Sequence, residues 1–150
     1  MNIKPYRKAG IALLLIMASA GGDPGTGLAA PDGQLLIIAN PGISSTSIDY
    51  KDLQRIYLGK KTQWKDDISI VPVMLKSGPL HDGFIEDFLD RSVQRFATYW
   101  RQMVFTGKGV PPRSFEDESE LVDFVARTPG SLGFASTSAD VGDVKILTLD

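Results

Sequence analysis

Short apolar runs separated by polar segments predict a β-sheet along this chain. The first run, residues 34–39, is apolar from Leu35 onward, which is typical of a strand buried on both faces. A second run covers residues 68–75, where Pro72 indicates that part of the strand lies at a sheet edge or a bulge. Two further strands are predicted at residues 131–135 and 144–149.

One predicted helix follows the first apolar run, and three more lie between the second run and the strand at residues 131–135. Ser47 or Asp49 can cap a helix that ends at Gly59, and Pro79 begins a helix that runs to about Leu89. A third helix is capped by Ser92 and ends at Gly107, and a fourth covers about 117–127. The apolar positions of the third helix follow helical spacing: Val93, Phe96, Ala97, Trp100, Met103 and Val104. The order β-α-β-α-α-α-β-β predicts the α/β class, with a small mixed sheet flanked by helices.

The first thirty residues have the pattern of a secretory signal peptide. Lys4, Arg7 and Lys8 precede ten apolar residues, and small residues at Ala18-Ser19-Ala20 or Gly27-Leu28-Ala29 suit a signal peptidase. The alternative is a membrane anchor, but a span needs about 20 apolar residues. We therefore expect residues 1–30 to be a signal peptide cleaved after Ala20 or near Ala30, and residues 31–150 to form one periplasmic domain.

The composition excludes several classes of function. The chain has no cysteine, one histidine and a formal net charge of −2. Disulfides, thiolate metal sites, His-His metal motifs and general nucleic-acid binding are therefore not expected. No nucleophile, base and orienting group can be assembled from the sequence, because only His81 could act as a base, so we expect neither an enzyme nor a cofactor or metal. Asp82, next to His81, is expected to point elsewhere on the helix.

Two polar clusters are candidates for anion binding. The segment Lys76-Ser77-Gly78 precedes the helix that carries His81, and a helix start offers unpaired N–H groups to an anion. The alternative is a helix start that is merely capped. The second cluster is basic and could equally be a solvated helix end. Its members are Lys51, Arg55, Lys60, Lys61 and Lys65.

Four segments in one order resemble the substrate-binding proteins of bacterial phosphate ABC transporters, of the type II periplasmic binding protein class. The segment 53–64 is similar to that family's "IFLGK…W", and residues 70–73 follow as expected. Tyr99-Trp100 with residues 105–112 is similar to "YW…FTGKG.PP", and residues 128–134 to "xPGxIGY". The resemblance implies the fold of this family, but only one of its two lobes, since 120 residues cannot hold both.

The expected ligand site departs from the family pattern. Phosphate binders have a Ser-Gly-Thr-Arg loop after the second strand, and here the sequence is Ser77-Gly78-Pro79-Leu80-His81. A neutral imidazole donates one hydrogen bond where guanidinium donates several. The resemblance implies a periplasmic module for a small oxyanion such as phosphate, held by Lys76, Ser77, Gly78 and His81 and feeding an inner-membrane transporter.

The loss of the arginine and of the second lobe favours a different function. In this alternative, the chain is an interaction or sensory domain that keeps the lobe without its ligand and binds a protein partner such as a membrane sensor.

If the chain does bind an anion, a homodimer could supply the missing wall of the anion site.

Overall fold

The computed structural model describes residues 35–150, and over this range six strands form one mixed sheet. The predicted signal peptide lies outside the described residues. The strands are β1 (Leu35–Ala39), β2 (Ser47–Ile48), β3 (Val71–Leu75), β4 (Arg113–Phe115), β5 (Ser131–Ser136) and β6 (Lys145–Leu149). Their order across the sheet is β2-β6-β1-β5-β3-β4. The predicted class, a small mixed sheet flanked by helices, is confirmed.

The sheet is mixed because β1 runs against both of its neighbours. β1 pairs antiparallel with β5 and β6, whereas β3 pairs parallel with β4 and β5, and β2 pairs parallel with β6. Consecutive residues Ile37, Ile38 and Ala39 are buried, so β1 is covered on both faces as predicted. Strand β3 lies between β5 and β4, but its ladder with β4 begins only at Val73. Pro72 therefore has no pairing partner on that side, as its missing N–H requires.

The helices begin and end near the predicted positions. They are α1 (Tyr50–Tyr57), α2 (Pro79–Gly83), α3 (Val93–Phe105) and α4 (Glu118–Arg127). α2 continues directly into a π-helical turn, Phe84–Phe88. Asp49, rather than Ser47, caps α1 by accepting a hydrogen bond from the Asp52 N–H, and Ser92 caps α3 through the Arg95 N–H.

The aromatic centre of the core joins the π-helical turn to the sheet. Phe84 stacks on Phe134 of β5 with ring centroids 4.1 Å apart, and Tyr57 meets Phe84 edge-on at 4.7 Å. The Tyr57 hydroxyl donates to the carbonyl oxygen of Val73 at 2.8 Å. Burial raises the pKa of Tyr57 far above its ordinary value, so this phenol is a neutral structural donor.

The apolar stripe of α3 is only partly buried. Phe96 and Trp100 are buried as predicted, whereas Ala97 and Val104 are exposed. Val104, Phe105 and Thr106 are all exposed, because the last turn of α3 extends beyond the residues on which the helix packs. Helical spacing predicts which residues share a face, but not where along the helix the covering core ends.

Candidate functional site

The candidate site lies where three parallel strands end. Because β3, β4 and β5 are mutually parallel, their carboxyl ends meet at one sheet edge, here called the carboxyl edge. Three segments follow these strands there: Lys76–Gly78 after β3, Glu116–Asp117 after β4, and the residues after Ser136 of β5. Ligands of open α/β sheets bind outside the carboxyl ends of the strands, which makes this edge the candidate site.

The start of α2 is open to a ligand. Gly78 is the N-cap residue, with φ at 101°, and no side chain caps the helix. A Cβ placed on Gly78 would meet no atom within 4 Å, and Ser77 is exposed. The first N–H groups of any helix lack partners within it, although Pro79 removes one of them here. The structure therefore brings Ser77 and Gly78 to an accessible helix start.

Lys76 is engaged by a carboxylate at the same edge. Its Nζ donates to Glu116 Oε1 at 2.6 Å, and its backbone N–H donates to the Phe115 carbonyl at 2.9 Å. The hydrogen bond from Lys76 to Glu116, followed by their charge attraction, raises the pKa of Lys76. An anion at this place has to share Lys76 with Glu116 or displace that carboxylate. Sequence reasoning missed this contact, because it depends on the register of β3 with β4.

His81 also contacts a carboxylate. Its Nδ1 lies 2.8 Å from Asp82 Oδ1, and its side chain is 14% exposed. The expectation that these adjacent residues point apart is wrong, since the short Asp82 side chain reaches back to the imidazole. One ring nitrogen of His81 is thus occupied by Asp82.

The acidic residues at the start of α4 have local structural partners. Asp117 caps α4 by accepting from the N–H and hydroxyl of Ser119, and these hydrogen bonds lower the pKa of Asp117. Glu118 accepts a hydrogen bond from the Ser136 N–H of β5. Asp117 therefore serves the start of α4, and Glu118 joins the start of α4 to β5. Within residues 35–150, no group of three or more His, Asp or Glu side chains is placed to hold a metal ion.

The second basic cluster is partly neutralised. Asp52 of α1 pairs with Lys61 and lies 3.7 Å from Arg55. Two of the five cations of the cluster therefore share one carboxylate, which agrees with the interpretation of the cluster as a solvated helix end.

Over the described residues, no helix is long and apolar enough to span a bilayer.

Similarity to known proteins is found at the level of structure. An ABC-type phosphate transport receptor from Vibrio cholerae matches over 77% of this chain and 45% of its own, at 20% identity and a TM-score of 0.53. PstS from Borrelia burgdorferi matches over 77% of this chain and 47% of its own, at 22% identity and a TM-score of 0.57. This chain has the fold of a single lobe of such binding proteins.

A third binding protein of known structure matches this chain to a similar extent. A phosphate ABC transporter substrate-binding protein from Clostridium perfringens, with bound phosphate, matches over 77% of this chain and 44% of its own, at 16% identity and a TM-score of 0.60. The chain thus spans less than half the length of these neighbours. All three are described as transport or binding proteins rather than enzymes. No family model and no curated protein sequence matches the chain.

The segments that carry the sequence resemblance contact one another in the core of the lobe. The Trp64 indole N–H donates to the Gly130 carbonyl at 3.0 Å, and the Trp100 indole N–H donates to the Tyr57 carbonyl at 3.0 Å. A Cβ at Gly59 would lie 3.0 Å from the Trp100 ring, and one at Gly109 would lie 3.2 Å from it. These motif residues therefore stabilise the fold of the lobe, and none of these four contacts involves a residue expected to hold the anion.

Proposed function

We propose that this chain is a periplasmic binding module for a small oxyanion such as phosphate, which it holds at the start of α2. One observation carries the proposal: an uncapped, accessible glycine begins a helix at the carboxyl edge of a lobe whose structural neighbours are phosphate receptors. The proposed ligands of the anion are the Ser77 hydroxyl, the Gly78 N–H, the Lys76 ammonium and the His81 imidazole. We further propose that residues 31–150 form the mature domain and that it feeds an inner-membrane transporter.

The electrostatics of the edge predict weak binding. Glu116 competes for Lys76, and Asp82 occupies one nitrogen of His81. A single lobe also leaves the anion exposed to water, which screens its attraction to the protein. A homodimer that closes over this edge could supply the missing wall.

Titration with phosphate and sulfate tests the site. In calorimetry at low salt, Lys76→Ala is expected to weaken binding about tenfold and Ser77→Ala about threefold, which are the ordinary contributions of a charged and a neutral hydrogen bond. Lys60→Ala, an exposed lysine of the second basic cluster, is the matched control and should leave binding unchanged. If Lys60→Ala is the variant that loses binding, the site is the basic cluster instead.

The Glu116→Gln variant gives the sharpest result. Removing this carboxylate frees Lys76 and removes a repulsive charge, so anion affinity should rise about tenfold or more. Asp143→Asn removes the same charge from the exposed turn before β6 and should change affinity only slightly. An unchanged affinity in Glu116→Gln would contradict a site that includes Lys76.

Export is tested by mass. The intact mass of the protein in the periplasmic fraction should correspond to a chain that begins between Gly21 and Asp32, because a signal peptidase removes the leader during export. Recovery of the full-length chain in the membrane pellet would contradict this part of the proposal.

A specific observation favours a second function, that of an interaction domain without a small ligand. Two of the proposed ligand side chains at the carboxyl edge, Lys76 and His81, contact carboxylates of the same chain. Side chains that are already paired with carboxylates need no anion as a partner. The lobe would then bind a protein partner such as a membrane sensor. The absence of any heat with millimolar phosphate or sulfate, in the parent and in Glu116→Gln, would favour this function.

A further inference from the structure

The carboxyl end of α3 exposes large apolar side chains. Phe105 is 90% exposed and Val104 is 53% exposed, and Val110 in the following loop is 86% exposed. The turn between them is fixed in place, since the Gly107 N–H bonds to the Val104 carbonyl and the Lys108 N–H to the Met103 carbonyl. The folded end of α3 therefore exposes these apolar side chains to solvent, and a phenylalanine is rarely this exposed.

Two adjoining open grooves run along the same helix. The first has a volume of about 570 Å³, and Arg101, Phe105 and Lys108 are among its lining residues. The second, of about 450 Å³, is lined in part by Arg91 and Arg95. Both grooves include Tyr99 and Gln102, so they form one continuous surface, here called the α3 face. The α3 face combines four cations with aromatic side chains.

The charge of this segment differs sharply from that of its surroundings. Residues 91–115 hold five basic residues and no acidic residue, whereas the remainder of residues 35–150 holds eight basic and sixteen acidic ones. Among the described residues, every ion pair lies outside this segment. Arg95, Arg101 and Lys108 are exposed, so their charges are available to an anionic partner.

We propose that the α3 face binds the surface of an anionic phospholipid bilayer. Phe105 and Val110 would enter the interfacial layer while the cations bind lipid phosphates, a combination typical of peripheral membrane contacts. A symmetric dimer through this face would bring like charges together, and this argues against a second copy. The acidic remainder of the domain is repelled by such a bilayer, and this repulsion orients the protein with the α3 face toward the lipid. This site is independent of the proposed anion site at α2.

Vesicle sedimentation tests the proposal. The parent and all variants are purified in the same way, so that whatever part of residues 1–34 remains is identical in each. Binding is expected to vesicles of equal parts phosphatidylglycerol and phosphatidylcholine, to be absent with phosphatidylcholine alone, and to weaken strongly at about 0.5 M salt. One cation near an anionic surface adds about fivefold to binding, so the triple variant Arg95→Gln, Arg101→Gln and Lys108→Gln should lose on the order of a hundredfold. Phe105→Ser should lose about tenfold or more.

Matched controls separate this surface from net charge. The triple variant Lys51→Gln, Lys60→Gln and Lys65→Gln removes the same charge from the second basic cluster and should retain most of the binding. Because Phe105 is exposed, Phe105→Ser should keep the parent's melting temperature. Failure of the parent to sediment with anionic vesicles, or equal losses in the two triple variants, would overturn the proposal. Self-association that Phe105→Ser abolishes, without vesicle binding, would assign the face to a second copy and also overturn it.

Discussion

Replacing Trp100 with alanine is expected to remove about 3–5 kcal/mol from the free energy of unfolding, a large share of what a small domain possesses. Trp100 is 6% exposed, and its indole N–H donates to the Tyr57 carbonyl, which joins α3 to the end of α1. The ring also fills the space above Gly59 and Gly109. The variant therefore leaves a cavity and an unpaired buried carbonyl.

Urea denaturation of the parent and of Trp100→Ala measures this loss. Phe105→Ala, in the exposed last turn of the same helix, is the control and should cost less than about 0.5 kcal/mol. Trp100→Phe should fall between the two, because it keeps most of the ring volume and loses the hydrogen bond. If Trp100→Ala unfolds like the parent and changes only anion binding, then this residue stacks on a ligand and the structural interpretation is wrong.

The Gly130→Ala substitution is expected to cost about 2–5 kcal/mol. Gly130 has φ at 78°, which an alanine adopts only with strain, and its added Cβ would lie 2.0 Å from the Ser69 carbonyl oxygen. The same glycine accepts hydrogen bonds from the Trp64 indole and the Val71 N–H. A shift of the backbone to relieve the overlap would therefore disturb the entry to β5 and the start of β3.

Gly107→Ala provides a matched control for this prediction. Gly107 has φ at 68°, but a Cβ there would meet no atom within 4 Å. Its substitution should cost about 1–2 kcal/mol for the left-handed backbone alone. The difference between the two variants, measured by thermal or urea unfolding, isolates the steric overlap at Gly130. Equal losses would show that the loop containing Ser69 moves aside freely.

The sequence predicted the elements that have strong local signals. Strands β1, β3, β5 and β6 carry apolar runs, and Asp49, Pro79 and Ser92 mark helix starts by their own chemistry. Strand β2 was missed because its two residues are a strand only through pairing with Thr148 and Leu149. Strand β4 was missed because Arg113 and Ser114 give no apolar alternation, and its pairing with β3 is distant in sequence.

The position of the candidate site was predictable from the sequence, but the contacts between its charged and polar side chains were not. The junction of β3 and α2 could be located from Pro79 and the preceding apolar run. The contact of Lys76 with Glu116 follows from pairing of Leu75 with Phe115, which is tertiary information. The contact of His81 with Asp82 depends on rotamers, which a helical wheel does not specify.

The position of β1 has a consequence for how the chain folds. β1 comes first among the described strands, yet both of its partners, β5 and β6, lie about one hundred residues later in the chain. Closing loops of this length makes folding slow relative to domains with local contacts. A partly synthesised chain cannot complete its sheet, so its apolar first strand stays unpaired until the carboxyl-terminal residues are available. In a chain of this topology, completion of the native sheet is therefore a late step that follows synthesis of the carboxyl-terminal strands.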